Sequence, residues 1–196
     1  MRPGLAIIGL WVLWAISWLM AAGWAAKTQK TAAAPSQLGF NALLLLGALL
    51  LGVPAHGYSG PLRLWQLSWA EAWLCVGFLA LGIALAWWAR VALGRFWSGR
   101  ITRKADHRVI DTGPYAFVRH PIYAGLLLAV YATAGAKGTV WGVGGALVVT
   151  LGLVLKARLE EQWLTQELGQ PYRTYRSRVP MLLPWGRVRR RAAELR

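Results

Sequence analysis

The chain has 196 residues, 57% of them hydrophobic and 15% charged, with 22 Lys+Arg against 7 Asp+Glu and a net charge of +15. A soluble domain is about 45–50% apolar. Here the surplus is gathered into four tracts, 3–26, 38–54, 67–89 and 122–155, which hold only two formal charges, Glu71 and Lys137. That segregation excludes an ordinary water-soluble globule and a disordered chain alike; the length suits one domain.

The expectation is an all-α integral membrane protein, and its elements can be taken in chain order. The first tract follows Arg2 and outruns the ~7–15-residue core of a secretory signal. It therefore reads as a first span, with Trp11, Trp14 and Trp18 on one helical face for packing or interfacial anchoring. The second tract is at the short limit of the about 17–25 residues a crossing needs, and the third fits one helix ending at Trp87 and Trp88. Glu71 and Lys137 fall near span ends, where they can snorkel or lie in loops, and His56 reads as a loop residue. Cys75 is alone, which excludes an intrachain disulfide and a cysteine metal cluster, and no metal site is expected. The fourth tract is interrupted by Ala134-Gly135-Ala136-Lys137-Gly138 and predicts two short spans joined as a helical hairpin.

Charge decides the span count. Five spans put 19 Lys/Arg on one face and three on the other, whereas four spans split them almost evenly; the basic side is the cytoplasmic one. The prediction is a multi-pass protein of five transmembrane helices, N-terminus outside and C-terminus cytoplasmic, in the plasma or inner membrane if the source is prokaryotic. Residues 1–89 would carry three spans. Residues 90–196 would form a catalytic region of cytoplasmic loop, transmembrane hairpin at 121–155, C-terminal helix and basic tail. The positive charge is assigned to topology and, at Arg187, Arg189, Arg190 and Arg191, to membrane lipids of the anionic leaflet. Nucleic acid is not an expected partner, because no recognition helix or stacking platform accompanies the basic residues.

No G-x-G-x-x-G, Walker loop, H-E-x-x-H or G-x-S-x-G is present, so a nucleotide-like cofactor would have to be held by helix ends and loops. Two constellations on the basic face carry chemistry. In 106–125, DHRVIDTGPYAFVRHPIYAG, Pro121 holds His120 out of helical dihedrals and itself suits a first helical position. Arg119 and His120 thus occupy an electropositive helix start fit for a carboxylate or phosphate, flanked by Tyr115 and Tyr123, whose faces suit a cation. In 159–180, LEEQWLTQELGQPYRTYRSRVP, the apolar spacing of Leu159, Trp163 and Leu164 continues span five into the cytoplasm until Gly169 and Pro171 end it. Glu160 and Glu161 diverge by about 100° on that helix, so at most one can enter a site shared with His120. Tyr172 and Tyr175 share one face.

This pair of motifs, separated by an apolar hairpin, resembles the isoprenylcysteine carboxyl methyltransferase family, with the related phospholipid N-methyltransferases sharing the layout. The resemblance runs from Gly94 to about Pro184, and a prokaryotic member is expected. It implies an enzyme that uses S-adenosyl-L-methionine, bound without a Rossmann domain, to methylate a lipophilic, membrane-embedded small molecule or lipid-modified substrate. Carried over by position, it implies cofactor contacts from Arg100, His107, Arg108, Val109, Ile110, Tyr115, Arg119, His120, Pro121, Ile122, Tyr123 and Glu160. Lys156 stands where the eukaryotic enzymes have an arginine associated with substrate. Arg100 replaces a glutamine of those enzymes, and their longer acidic run is reduced to Glu160-Glu161. His120 suits the cofactor carboxylate and Glu160 its ammonium or ribose, so the two are expected to clasp opposite ends of it. A carboxylate acceptor needs no base, while an amine would call on Glu161 or Tyr123, the candidate catalytic groups. The alternatives are a phospholipid amine N-methyltransferase and, in another class, a non-catalytic lipid-binding membrane scaffold.

Overall fold

The computed structural model describes residues 2–24, 28–31, 34–54, 60–97, 102–104 and 109–184. Their helices are α1 (Pro3–Met20), α2 (Ala34–Gly52), α3 (Trp69–Leu93), α4 (Pro121–Lys137), α5 (Val140–Leu168) and α6 (Gln170–Arg178). Three stretches, Pro3–Trp24, Trp69–Leu93 and Val140–Leu168, are long and apolar enough to cross a membrane; Gln37–Gly52 is a shorter apolar helix. One departure from an all-helical chain is a two-stranded antiparallel ribbon of β1 (Thr28–Thr31) and β2 (Thr102–Lys104). It pairs segments too short to show a period-two pattern and too far apart in sequence to announce each other.

Local signals set the helix ends. Ser68 and Glu71 form a capping box: the Ser68 hydroxyl accepts from the Glu71 N–H, and the Glu71 carboxylate accepts from the Ser68 N–H. The acid at this span end is therefore a cap, in place of the snorkelling or loop location expected of it. Pro121 opens α4 as its fixed φ favours. Gly138, at φ 57°, closes α4 in a left-handed cap, and Thr139 caps the start of α5 by accepting from the Gly142 N–H. The pause predicted at 134–138 is thus narrowed to its last residue. Beyond Gly169, Pro171 opens the new helix α6, where the sequence suggested only a stop.

The helices alternate in direction. At one end Lys137 donates to the carbonyls of Leu51 and Val53, capping the C-terminus of α2, and the Trp65 indole donates to Gly135 O. At the other end Arg90 donates from Nη2 to Ala21 O and from Nη1 to Gly94 O, tying the close of α1 to that of α3. Between the ends, packing is set by small residues, as expected where lipid removes any hydrophobic preference for one helix over another. A Cβ on Gly82 of α3 would stand 2.5 Å from the Gly125 carbonyl of α4. A Cβ on Gly145 of α5 would stand 2.8 Å from that of Gly47 in α2. The resulting α3–α4 and α2–α5 pairs leave α1 leaning on the first, with Ile7, Leu10 and Trp11 against Leu79, Ala129 and Ala132.

Helix α5 has 29 residues, about 44 Å at 1.5 Å per residue, against a hydrocarbon core of about 30 Å. About 20 residues complete a crossing. Counted from Val140, everything from Glu160 onward projects beyond the span. There α6 folds back and packs Tyr172, Tyr175 and Val179 against Val109, Leu164 and Leu168.

Candidate active site

At the Arg90 end of the bundle a cavity of about 240 Å³ opens between the helices. Its membrane side is walled by Trp14 and Trp18 of α1, Leu44 of α2, Leu126 of α4 and Leu153 of α5. Its polar side carries His120, Tyr123, Lys156 and Glu160, and α6 adds Tyr172 and Tyr175.

The polar wall is built by the corner that the Arg-His-Pro run forces. Val179 to Met181, following α6, lie alongside this corner, because Arg119 N–H donates to Pro180 O at 2.9 Å and His120 N–H to Met181 O at 3.0 Å. The Arg119 guanidinium is spent on structure. Nε donates to Glu161 Oε1 at 2.6 Å, and Nη1 donates to the carbonyls of Arg176 and Val179. Glu161 Oε1 is also 3.2 Å from His120 Nε2, and its Oε2 is 3.2 Å from Arg176 Nε. Burial alone would raise the Glu161 carboxyl. Hydrogen bonds from His120 and Arg119, together with the Arg119 charge, outweigh burial and bring it down to about 2.

Glu160 points the other way, as adjacent positions on a helix must. Its Oε2 accepts from Tyr123 OH at 2.8 Å and is 3.9 Å from His120 Nδ1, and the side chain is 32% exposed, open enough to meet a ligand. The His120 and Tyr123 rings stack in parallel with centroids 5.2 Å apart. The Lys156 ammonium lies 5.5 Å from the centroids of both Tyr123 and Phe40. Tyr115 and Tyr172 are pushed up by burial and by the nearby carboxylates, and burial likewise raises Tyr175, whose hydroxyl donates to Tyr115 O. All three phenols are neutral.

The structure therefore gathers Val109, Ile110, Tyr115, Arg119, His120, Ile122, Tyr123, Lys156 and Glu160 around one cavity. Pro121 is buried at the helix start, and Glu161 stands behind the wall with a side chain 3% exposed, too enclosed to meet a ligand. Arg100, His107, Arg108 and the basic tail lie outside the described residues. One expectation is corrected: His120 and Glu160 are neighbours, so they cannot clasp opposite ends of a cofactor. The sequence reading missed Leu44, Leu126, Leu153 and Trp97 as walls. Their apolar character is shared by every lipid-facing residue, and no local signal distinguishes them.

Residues 75–166 match the model of the isoprenylcysteine carboxyl methyltransferase (ICMT) family. Through this stretch the chain belongs to that family. It covers α3 from Cys75 onward, the Arg119–His120 corner, α4 and the part of α5 bearing Lys156, Glu160 and Glu161. The chain is 33% identical over 140 residues to methanethiol S-methyltransferase 2 of Bradyrhizobium diazoefficiens, covering 67% of this chain and 53% of the relative. It is 41% identical over 70 residues to methanethiol S-methyltransferase of Pseudomonas deceptionensis, covering 36% and 26%. With protein-S-isoprenylcysteine O-methyltransferase of Schizosaccharomyces pombe it shares 33% over 112 residues, covering 56% and 48%. The matches thus span about half or less of each relative's own length.

Proposed function

We propose that this protein transfers a methyl group from S-adenosylmethionine to a lipophilic acceptor drawn from the membrane. The observation that carries the reading is the cavity itself, polar on the His120–Glu160 side and walled by tryptophan and leucine on the other. It lies largely within the family-matched stretch.

The donor set fits the cofactor. The partly exposed Glu160 carboxylate suits the ammonium or the ribose diol. The backbone N–H groups at the start of α4 suit the carboxylate. The rings of Tyr115, Tyr123, Tyr172 and Trp97 suit a sulfonium. When bound, the cofactor supplies an electrophilic methyl group. The chain's own residues align the acceptor and exclude water, which is most of what a one-step displacement asks of a protein.

The acceptor is an anion or becomes one. Lys156 faces the cavity between two aromatic rings and favours a carboxylate or thiolate over a phospholipid ammonium. Relatives named for methanethiol and for isoprenylcysteine bracket these two nucleophiles. The acceptor enters from the lipid side and the cofactor from the basic face.

Purified protein should bind S-adenosylmethionine in a calorimeter and pass a labelled methyl to a thiol or a prenylated cysteine, and not to a phospholipid amine. Glu160→Ala should weaken cofactor binding about tenfold, the cost of leaving a polar partner unpaired. A protein that binds no S-adenosylmethionine would be the lipid-binding scaffold instead.

A further inference from the structure

We infer that His120 is the proton acceptor for a thiol nucleophile, and that Glu161 is the positioning residue that makes it one. The inference rests on the methyl-transfer reading above and names the acceptor class within it.

The geometry is that of an oriented imidazole. Glu161 Oε1, 3.2 Å from Nε2, accepts from that nitrogen when it carries the proton. Arg119 and Arg176 fix the carboxylate from two sides, so it cannot turn away. The tautomer with Nε2–H leaves the lone pair on Nδ1. Among the described residues that nitrogen has no hydrogen-bond partner, and Glu160, at 3.9 Å, is the group facing it. Stacking on Tyr123 at an interplanar angle of 4° holds the ring in plane. Once Nδ1 takes a proton, each ring nitrogen faces a carboxylate, Glu161 on one side and Glu160 on the other. Among the described residues the charges around the ring are Glu160, Glu161 and Lys156 from α5, Arg119 beside it and Arg176 from α6; the nearby phenols are Tyr123 and those of Tyr115, Tyr172 and Tyr175.

A carboxylate acceptor arrives ionised and has no use for this arrangement. A thiol, with a pKa of about 8.5 in the cysteine case, is mostly protonated at neutral pH and needs one base. The S–H bond breaks and its proton passes to Nδ1, leaving the electron pair on sulfur. That pair forms the new S–CH₃ bond as the bond from methyl to the sulfonium of the donor breaks, its electrons returning to the donor sulfur. The proton then leaves Nδ1 for water. The thiolate develops beside the Lys156 ammonium, which stabilises it.

The test uses the full chain in detergent or nanodiscs. With only three histidines in the sequence, nitrogen-15 NMR of the cofactor-free protein can assign His120 by subtraction of the His120→Ala spectrum. Nε2–H with a bare Nδ1 is expected, and Glu161→Gln should mix the tautomers. A dominant Nδ1–H form, or an imidazolium persisting well above neutral pH, overturns the inference without reference to turnover. In turnover at saturating cofactor, His120→Ala should lose about 100-fold or more in kcat with a thiol at neutral pH. It should recover as pH rises through the pKa of the thiol, and on addition of imidazole. With a carboxylate acceptor the loss should be much smaller than with the thiol and should not recover as pH rises. A variant that keeps the wild-type pH profile with the thiol overturns the inference and leaves the methyl-transfer reading standing. Failure of wild-type protein to methylate any acceptor removes both.

Discussion

At the scale of single residues, Glu161 shows how one charge can organise a wall without touching a ligand. Its folded carboxyl titrates at about 2, against the ordinary value of 4.5. Between those values the unfolded chain binds more protons, so stability rises with pH across that window. The contribution is complete above about 4.5, is lost as pH falls to about 2, and amounts to a few kcal/mol at about 1.4 kcal/mol per unit. Thermal unfolding in detergent over this window should show a steep acid loss in wild type, and Glu161→Gln should flatten it; equal slopes would remove Glu161 from the stabilising network. At neutral pH Glu161→Ala should destabilise by about 3–5 kcal/mol, because it strands a buried guanidinium. In the sequence it was clear that only one of the two adjacent acids could face a shared site. Which one it would be depended on the rotation of α5 about its axis. That rotation is set by the Gly47–Gly145 crossing with α2, about four turns away.

At the scale of elements, the bundle is held by close helix crossings and by a buried cation. Gly82 has a carbonyl where a Cβ would go, whereas Gly77 on the same helix has open space. Gly82→Ala should therefore destabilise by on the order of 1–3 kcal/mol through overpacking, while Gly77→Ala should be neutral or slightly stabilising through helix propensity. Equal melting shifts for the two would refute the crossing. Arg90 is wholly buried, stacks over the Trp97 ring at 4.3 Å, and donates to Ala21 O at the close of α1 and to Gly94 O at the close of its own helix. Lysine keeps the charge but not the two-pronged donor. Arg90→Lys should lose about 1–3 kcal/mol and alter the near-ultraviolet circular dichroism of the tryptophans; an unchanged spectrum and melting point would leave the contact without weight. The caps at Ser68–Glu71 and Pro121 were written in the local sequence, yet Glu71 stood out first as a charge in an apolar tract. The role of Arg90 had no local signature, since its partners lie 69 and four residues away and are backbone carbonyls.

At the scale of the whole molecule, α1 to α5 alternate in direction, and the expected five spans with a cytoplasmic basic face make a testable topology. A reporter fused after Leu195 should be cytoplasmic, and one inserted between Ala55 and Gln66 should be on the opposite side. Both on one side would refute the topology. The sequence by itself determined that the chain is apolar, helical and basic on one face, because hydropathy and charge asymmetry are sums over many residues that no packing detail can reverse. It also determined the corner at His120-Pro121, because proline restricts its neighbour whatever surrounds it. Only the tertiary structure decided that Trp14, Leu44 and Leu153, from three separate helices, wall the same cavity as Glu160. It also made Glu161 a partner of Arg119, His120 and Arg176, and placed His120 next to Glu160. Periodicity says which face of a helix turns inward, but small residues that let backbones touch choose the partner, and in lipid every apolar face is otherwise equally content.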